Sequence, residues 1–175
     1  LYAVSNRVFQ ATAPADAFDA CVKAVADVVA AEEVAVYDRD ASTGDLVRLA
    51  ATEDGSASGG RQRIQPGETD LWRAFSEPDA CWLPAGAVID SDGAAAKQVL
   101  ASQLGETSLL SVVVDDRDET LESFIQAVSQ QVSAALTQLR QKTSIEGLSG
   151  DVASVQREAD HYRNLWEGVV EAGDA

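Results

Sequence analysis

The stretch LGETSLLSVVVDDRDETLESFIQAVSQQVSAAL, residues 104–136, decides how the rest of the chain is read. Its first part alternates and is rich in β-branched residues. Val99 to Leu104, Gly105-Glu106, then Ser108 to Val114 read as a hairpin. Its second part changes period. From Leu121 the apolar residues recur at four- and three-residue steps through Ile125, Val128, Val132, Ala135 and Leu139. That spacing predicts a long helix starting near Asp118, where Asp118, Glu119 and Glu122 suit the positive end of its dipole. Phe124 and Leu136 widen the apolar stripe beyond one seam, which leaves area for a partner helix. After a one-residue shift the heptad resumes at Ile145, Leu148, Val152, Val155, Ala159, Tyr162, Trp166 and Val169. Gly147 and Gly150 interrupt the helix, and Asp151 is placed to cap a further one to about Val170.

Upstream, Leu1, Val4, Val8 and Ala11 mark a short helix ended by Pro14. A second helix carries Phe18, Cys21, Val22, Val25, Val28 and Val29 on one face. Alternation takes over after it, with Val34, Val36 and Asp38 on one side of a strand and Ala35 and Tyr37 on the other. Ser42-Thr43-Gly44-Asp45 is the turn, and Leu46 to Thr52 returns. Glu53 to Arg61 is a glycine- and serine-rich loop. Arg63 to Gln65 is a short strand, and Pro66-Gly67-Glu68 opens a short helix with Leu71, Trp72 and Phe75. Cys81 to Pro84 is a brief strand, and Ala85 to Ala96 is loop or weak helix.

Composition limits the function. The 175 residues are 46% apolar, enough for one domain of ordinary size plus a helical extension. No run approaches the roughly 20 apolar residues of a membrane span, and no signal stretch opens the chain; a cytoplasmic compartment is expected. The chain begins at Leu1 and lacks methionine, so a piece of a larger protein is expected. Twenty-nine acids against thirteen bases give a charge of −16, and the bases include only Lys23, Lys97 and Lys142 as lysines. Such a distributed acidic surface resembles proteins of salt-accumulating halophiles, where screened carboxylates stay hydrated. It also argues against nucleic acid, since no basic stripe is present to replace counterions. No membrane partner is expected either.

The order helix, helix, hairpin, loop, short strand, short helix, strand, loop, hairpin, long helix resembles a GAF domain over residues 1–143. VAVYDRDASTGDLVRLAATEDG (34–55) is similar to that family's opening strand pair, and RIQPGETDLWRAFSEPDACWLPA (63–85) to its proline-glycine turn, helix and short strand. Residues 104–136 resemble its last hairpin and closing helix. The resemblance implies an α+β fold with a mostly antiparallel sheet, helices on both faces and a long C-terminal signalling helix. It also places Cys81, beside Trp82, in the region that borders the family's ligand pocket; Trp72, Phe75 and Trp82 read either as the lining of an apolar cavity there or as filling of the core, the core reading being the stronger. HYRNLWEGVVEAGDA (161–175) is similar to the opening of a PAS domain, so residues 144–175 read as a helical linker into a second sensor.

Chemical motifs are few. Val112-Val113-Val114-Asp115-Asp116 looks like the first strand of a phosphoacceptor receiver, but a heptad helix comes next, where a receiver needs a second apolar strand. The two acids end a strand and begin that helix. His161 lacks the acidic residue and proline that come after a kinase phosphoacceptor. Two cysteines sixty positions apart and one histidine do not make a zinc site. Cys21 reads as core packing. The glycines near Gly55, Gly59 and Gly60 lack the Gly-Lys-Ser/Thr of a phosphate loop, and no cyclic-nucleotide signature is found. No cofactor is expected. The expected function is a non-catalytic sensory and dimerisation module of an archaeal halophile's signalling protein, a histidine kinase, transducer or transcriptional activator. Its homodimer seam is Leu121, Ile125, Val128, Val132 and Leu139, with an unidentified small-molecule ligand and a downstream domain in the same chain. The alternatives are a redox enzyme of the free-methionine sulfoxide reductase type using Cys81, and a structural dimeric spacer.

Overall fold

The computed structural model describes residues 8–52, 60–89 and 97–145. The chain divides into two compact units, Leu1–Thr137 and Gln138–Ala175, and the described part of the second, residues 138–145, is helical. The expectations for Leu1 and Val4, for the Glu53 loop, for Gly147, Gly150, His161 and the PAS-like end all fall outside the described residues.

Residues 8 and 9 are helical, and Val8 is buried. Pro14 does not end a helix; it begins one, α1 (Pro14–Ala26), as its first residue. Proline suits that position because its missing N–H would have no helical partner there. The Asp16 carboxylate reaches back to accept from the Ala13 N–H at 3.2 Å and from the Thr12 hydroxyl at 3.0 Å. Phe18, Cys21, Val22 and Val25 are buried as the periodicity requires. The helix stops before Val28 and Val29, and Val28 is 61% exposed, a correction to the predicted face.

Strand β1 (Glu33–Arg39) and β2 (Leu46–Ala51) form the first hairpin. Its turn is held by the Asp40 carboxylate, which accepts from the N–H groups of Ser42 and Thr43 at 2.8 and 2.9 Å. Then come β3 (Arg63–Ile64), a 3-10 turn over Asp70–Phe75, β4 (Cys81–Pro84), β5 (Gln98–Leu104) and β6 (Ser108–Val114). Together they make a six-stranded sheet in the order β3-β2-β1-β6-β5-β4, with every pairing antiparallel. Gly105 turns β5 into β6 at φ 69°, a left-handed conformation that glycine adopts without a Cβ penalty.

The last helix, α2, covers residues 119–145. Asp118 caps it, its carboxylate accepting from the Thr120 N–H at 2.7 Å. Helices α1 and α2 cover one face of the sheet. α1 packs on β1 and β2, while α2 is tied by hydrogen bonds to Ala80, Trp82 and Gly105. The opposite face buries a second apolar layer with the 3-10 turns. Central β6 is therefore buried at all seven positions, and the strict inside-outside alternation of a one-sided sheet is absent from it. The architecture is α+β, as the sequence predicts.

Candidate functional site

On the face away from the helices, alternate residues of each strand point into one cluster. Ala35 and Tyr37 of β1 meet Leu109 and Val113 of β6, Val99 and Ala101 of β5, and Leu83 of β4. Leu71 and Ala74 from the 3-10 turn close over them, with Trp72, Phe75 and Cys81 half-buried at the margin. The Trp72 and Phe75 rings lie 5.8 Å apart, and the Trp72 indole N–H donates to the Gln65 carbonyl at 2.8 Å. Three of the four predicted pocket residues thus share one neighbourhood.

Trp82 does not. Successive strand residues point to opposite faces, so Trp82 looks away from Cys81 and Leu83 and towards α2. Its indole N–H donates to the Glu122 carboxylate at 2.9 Å, and the Arg117 guanidinium lies 5.9 Å from its ring centroid. Trp82 fastens the helix, which corrects its assignment to the pocket.

The same cluster face also holds a feature that sequence reasoning misses. Glu33, the first residue of β1, is in phase with Ala35 and Tyr37, and its carboxylate lies 3.2 Å from the Arg48 guanidinium. Their side chains are 0% and 5% exposed. A charge taken out of water is costly unless paired, so the two hold each other in place. Gly60 sits directly over them. A Cβ there would stand 2.6 and 2.8 Å from the Glu33 oxygens and closer still to Arg48 Nη1, so a side chain at this position would push the ends of the ion pair aside. Beside the pair, the Tyr37 hydroxyl donates to the Arg61 carbonyl at 2.9 Å. Burial pushes the Tyr37 phenol well above its ordinary range, the Glu33 carboxylate adds to this, and Arg48 and Arg61 oppose it.

A signal for this nest exists in the sequence. Arg48 lies two residues from inward-facing Leu46, and an arginine on the inward phase of a strand is rare unless paired. A β-bulge between Val36 and Tyr37 hides it. The register shifts, Tyr37 pairs with Arg48, Val36 pairs with Ala50, and Leu49 is left out of the pairing.

Both cysteines are free thiols. Burial pushes Cys21 up to about 12. Burial also raises Cys81, helped by the Glu77 carboxylate and opposed by Arg73. Cys21 lies on the helix side of the sheet and Cys81 against the opposite cluster, so the two thiols do not face each other. Among the described residues no group of three or more His, Cys, Asp or Glu side chains is arranged to hold a metal.

The predicted seam of α2 is largely internal. Ile125, Val128 and Val132 are 0% exposed and Leu121 is 8% exposed within the single chain. Leu139 is half-buried. The first four cover this chain's own sheet, so they are not the surface offered to a second copy.

No family model and no curated protein matches the sequence. Solved structures do resemble the fold. The GAF domain of an Acinetobacter phosphoenolpyruvate-protein phosphotransferase is 17% identical, with a TM-score of 0.61 over 79% of this chain and 93% of that one. The free methionine-R-sulfoxide reductase of Neisseria meningitidis, determined with its substrate, is 13% identical, with a TM-score of 0.62 over 79% of this chain and 87% of that one. Residues 122 to 287 of a methyl-accepting chemotaxis protein are 16% identical, with a TM-score of 0.56 over 79% and 97%. The fold of this chain is the fold of GAF domains.

Proposed function

We propose that the chain is a non-catalytic sensory module of a multidomain, cytoplasmic signalling protein, with α2 as its output. One observation carries this reading. Strand β4 presents Cys81 and Leu83 to the core cluster and Trp82 to the helix. A displacement on the cluster side therefore reaches α2 through the Trp82–Glu122 hydrogen bond. Two further ties lie alongside it. The Ala80 N–H donates to the Gln126 side chain at 2.6 Å, and the Gly105 N–H donates to the Ser133 hydroxyl at 2.8 Å. A few kcal/mol between two packings of such an element suffices for a switch.

The experiment is hydrogen exchange on the whole chain carrying Leu83→Val, a small cavity on the cluster side. Loss of protection in residues 122–133, with β1 unchanged, is the expected result. Unchanged protection in α2 would end the relay reading.

The redox alternative is weakened by chemistry, not by the fold, since one similar structure is a reductase. The thiolate is the reactive form; the Cys81 thiol is raised and Cys21 is on the other side of the sheet. The spacer alternative predicts no ligand-dependent rise in melting temperature with any metabolite tested.

We further propose a homodimer, with Leu139 in the second unit as the contact residue that remains accessible for it. Leu139→Asp should convert a dimer to a monomer by light scattering in molar KCl without lowering the melting temperature; a wild-type monomer at micromolar concentration would refute the dimer. The low lysine content and −16 charge support a halophilic archaeal source, and molar KCl should raise the melting temperature strongly as the Debye length shortens to roughly 3 Å. A downstream PAS domain is retained as a proposal on residues 161–175.

A further inference from the structure

Where β6 passes into α2, on the helix side of the sheet, a groove of about 560 Å³ opens between Val28–Ala30 and the first turns of α2. It is separate from the cluster that holds Glu33 and Arg48. Its floor is apolar: Val114 and Leu121 are buried, Val29 and Phe124 are half-buried, and Val28 stands exposed at the edge. Its rim is acidic, with Asp115, Asp116 and Asp118 all exposed.

The lining cation does not neutralise that rim. Arg117 turns its guanidinium to the Trp82 ring, and its Nε donates to Gln98 Oε1 at 3.0 Å. Asp118 is occupied with the Thr120 N–H. Asp115 and Asp116 take neither a hydrogen bond nor an ion pair from the described residues.

We propose that this groove binds an organic cation with an apolar body, of the alkyl- or arylammonium class. The volume falls within the roughly 300–1,000 Å³ of small-molecule sites. The floor accepts an alkyl or aryl group, the Phe124 ring offers a face to an ammonium, and two unengaged carboxylates supply the opposite charge. A neutral molecule of the same shape forgoes the charge term, and an anion meets repulsion. A second copy of this chain would bring acids against acids, since each carries −16. Seated at the root of α2, a bound cation would press on the helix independently of the β4 route, so this site stands or falls apart from the relay.

The test is a titration of the whole 175-residue chain, monitored by amide chemical shifts, with hexyltrimethylammonium, hexanol and hexanoate in 0.1 M KCl. The cation should shift residues 28–30 and 120–124 and bind more tightly than hexanol, with hexanoate weakest. Asp115→Asn with Asp116→Asn, both exposed and so harmless to the fold, should weaken the cation about three- to tenfold and leave hexanol unchanged. Phe124→Ala should weaken both. Equal affinities would overturn the proposal. So would cation shifts scattered over other acidic turns and indifferent to the two Asn substitutions, which mean counterion association alone. A lysine-rich peptide that seats here more tightly than the ammonium would also overturn it, in favour of a protein partner.

Discussion

The two faces of the sheet are made from alternate residues of the same strands, yet they are finished differently. On the helix side, Val34, Val36, Leu100, Leu110 and Val112 are buried under α1 and α2. On the other, the same strands supply Glu33, Tyr37 and Arg48 among apolar neighbours, with Trp72 and Phe75 half-buried at the edge. Beneath the helices the helix side is apolar interlock, which fixes them, and its charged groups stand at the margin of α2. The other side holds buried charge in a fixed geometry, which adds little net stability and much specificity of position. The proposed sensory role draws on both, and β4 is where one touches the other.

The largest expected effect tests the helix side. Val132→Asp places a carboxylate at a position with 0% exposure, and burying an unpaired charge is among the costliest single changes. Loss of cooperative folding by circular dichroism is expected; a folded variant that merely changes oligomeric state would show that this stripe faces a partner after all.

On the opposite face, Arg48→Ala removes the cation from a buried carboxylate and should cost about 3–5 kcal/mol in urea unfolding. Glu33→Leu with Arg48→Met together should recover most of it. A cost below about 1 kcal/mol for the single change would mean the pair is solvated, and the contrast between the faces would dissolve.

The link between the faces is worth less. Trp82→Phe keeps an aromatic ring and deletes the indole N–H donor, so about 0.5–1.5 kcal/mol should be lost, seen as faster hydrogen exchange near Glu122. Equal acceleration throughout the sheet would deny the bond a local role.

The smallest effect lies in the β1–β2 turn, outside both faces. Hydrogen bonds from Ser42 and Thr43, the Ser42 hydroxyl first, hold the Asp40 carboxyl down at about 2. A lowered value means the turn gains from the ionised form above the ordinary carboxyl range near roughly 4. That gain should fade as pH falls from there through about 2. The Ser42 and Thr43 amide shifts should titrate with that midpoint, and Asp40→Asn should abolish the transition; a midpoint near 4 would show that the turn's hydrogen bonds are not formed in solution.

Local signals in the sequence are enough to place most elements. The alternation in Val34–Tyr37 and Ser108–Val114, the turn residues at Asp40–Gly44 and Gly105, and the cap at Asp118 all act over a few residues. A single sequence shows them because backbone preference and short-range hydrogen bonds decide them. Pro14 misleads because a proline can both stop one helix and start the next. Resemblance points to the neighbourhood of Cys81 and Trp82, and the apolar character of Trp72 and Phe75 marks them for a cavity or the core, but neither separates Trp82 from the rest. Neighbours in a strand diverge, and only the sheet's pairing shows which side each takes. The heptad marks Leu121, Ile125, Val128 and Val132 as apolar; periodicity defines a face without saying what covers it, and here the chain's own sheet does. The Glu33–Arg48 pair depends most on tertiary structure. A bulge beside Tyr37 sets the register and Gly60 arrives from a distant segment, so the inward phase of Arg48 is the one local trace, and long-range packing decides its partner.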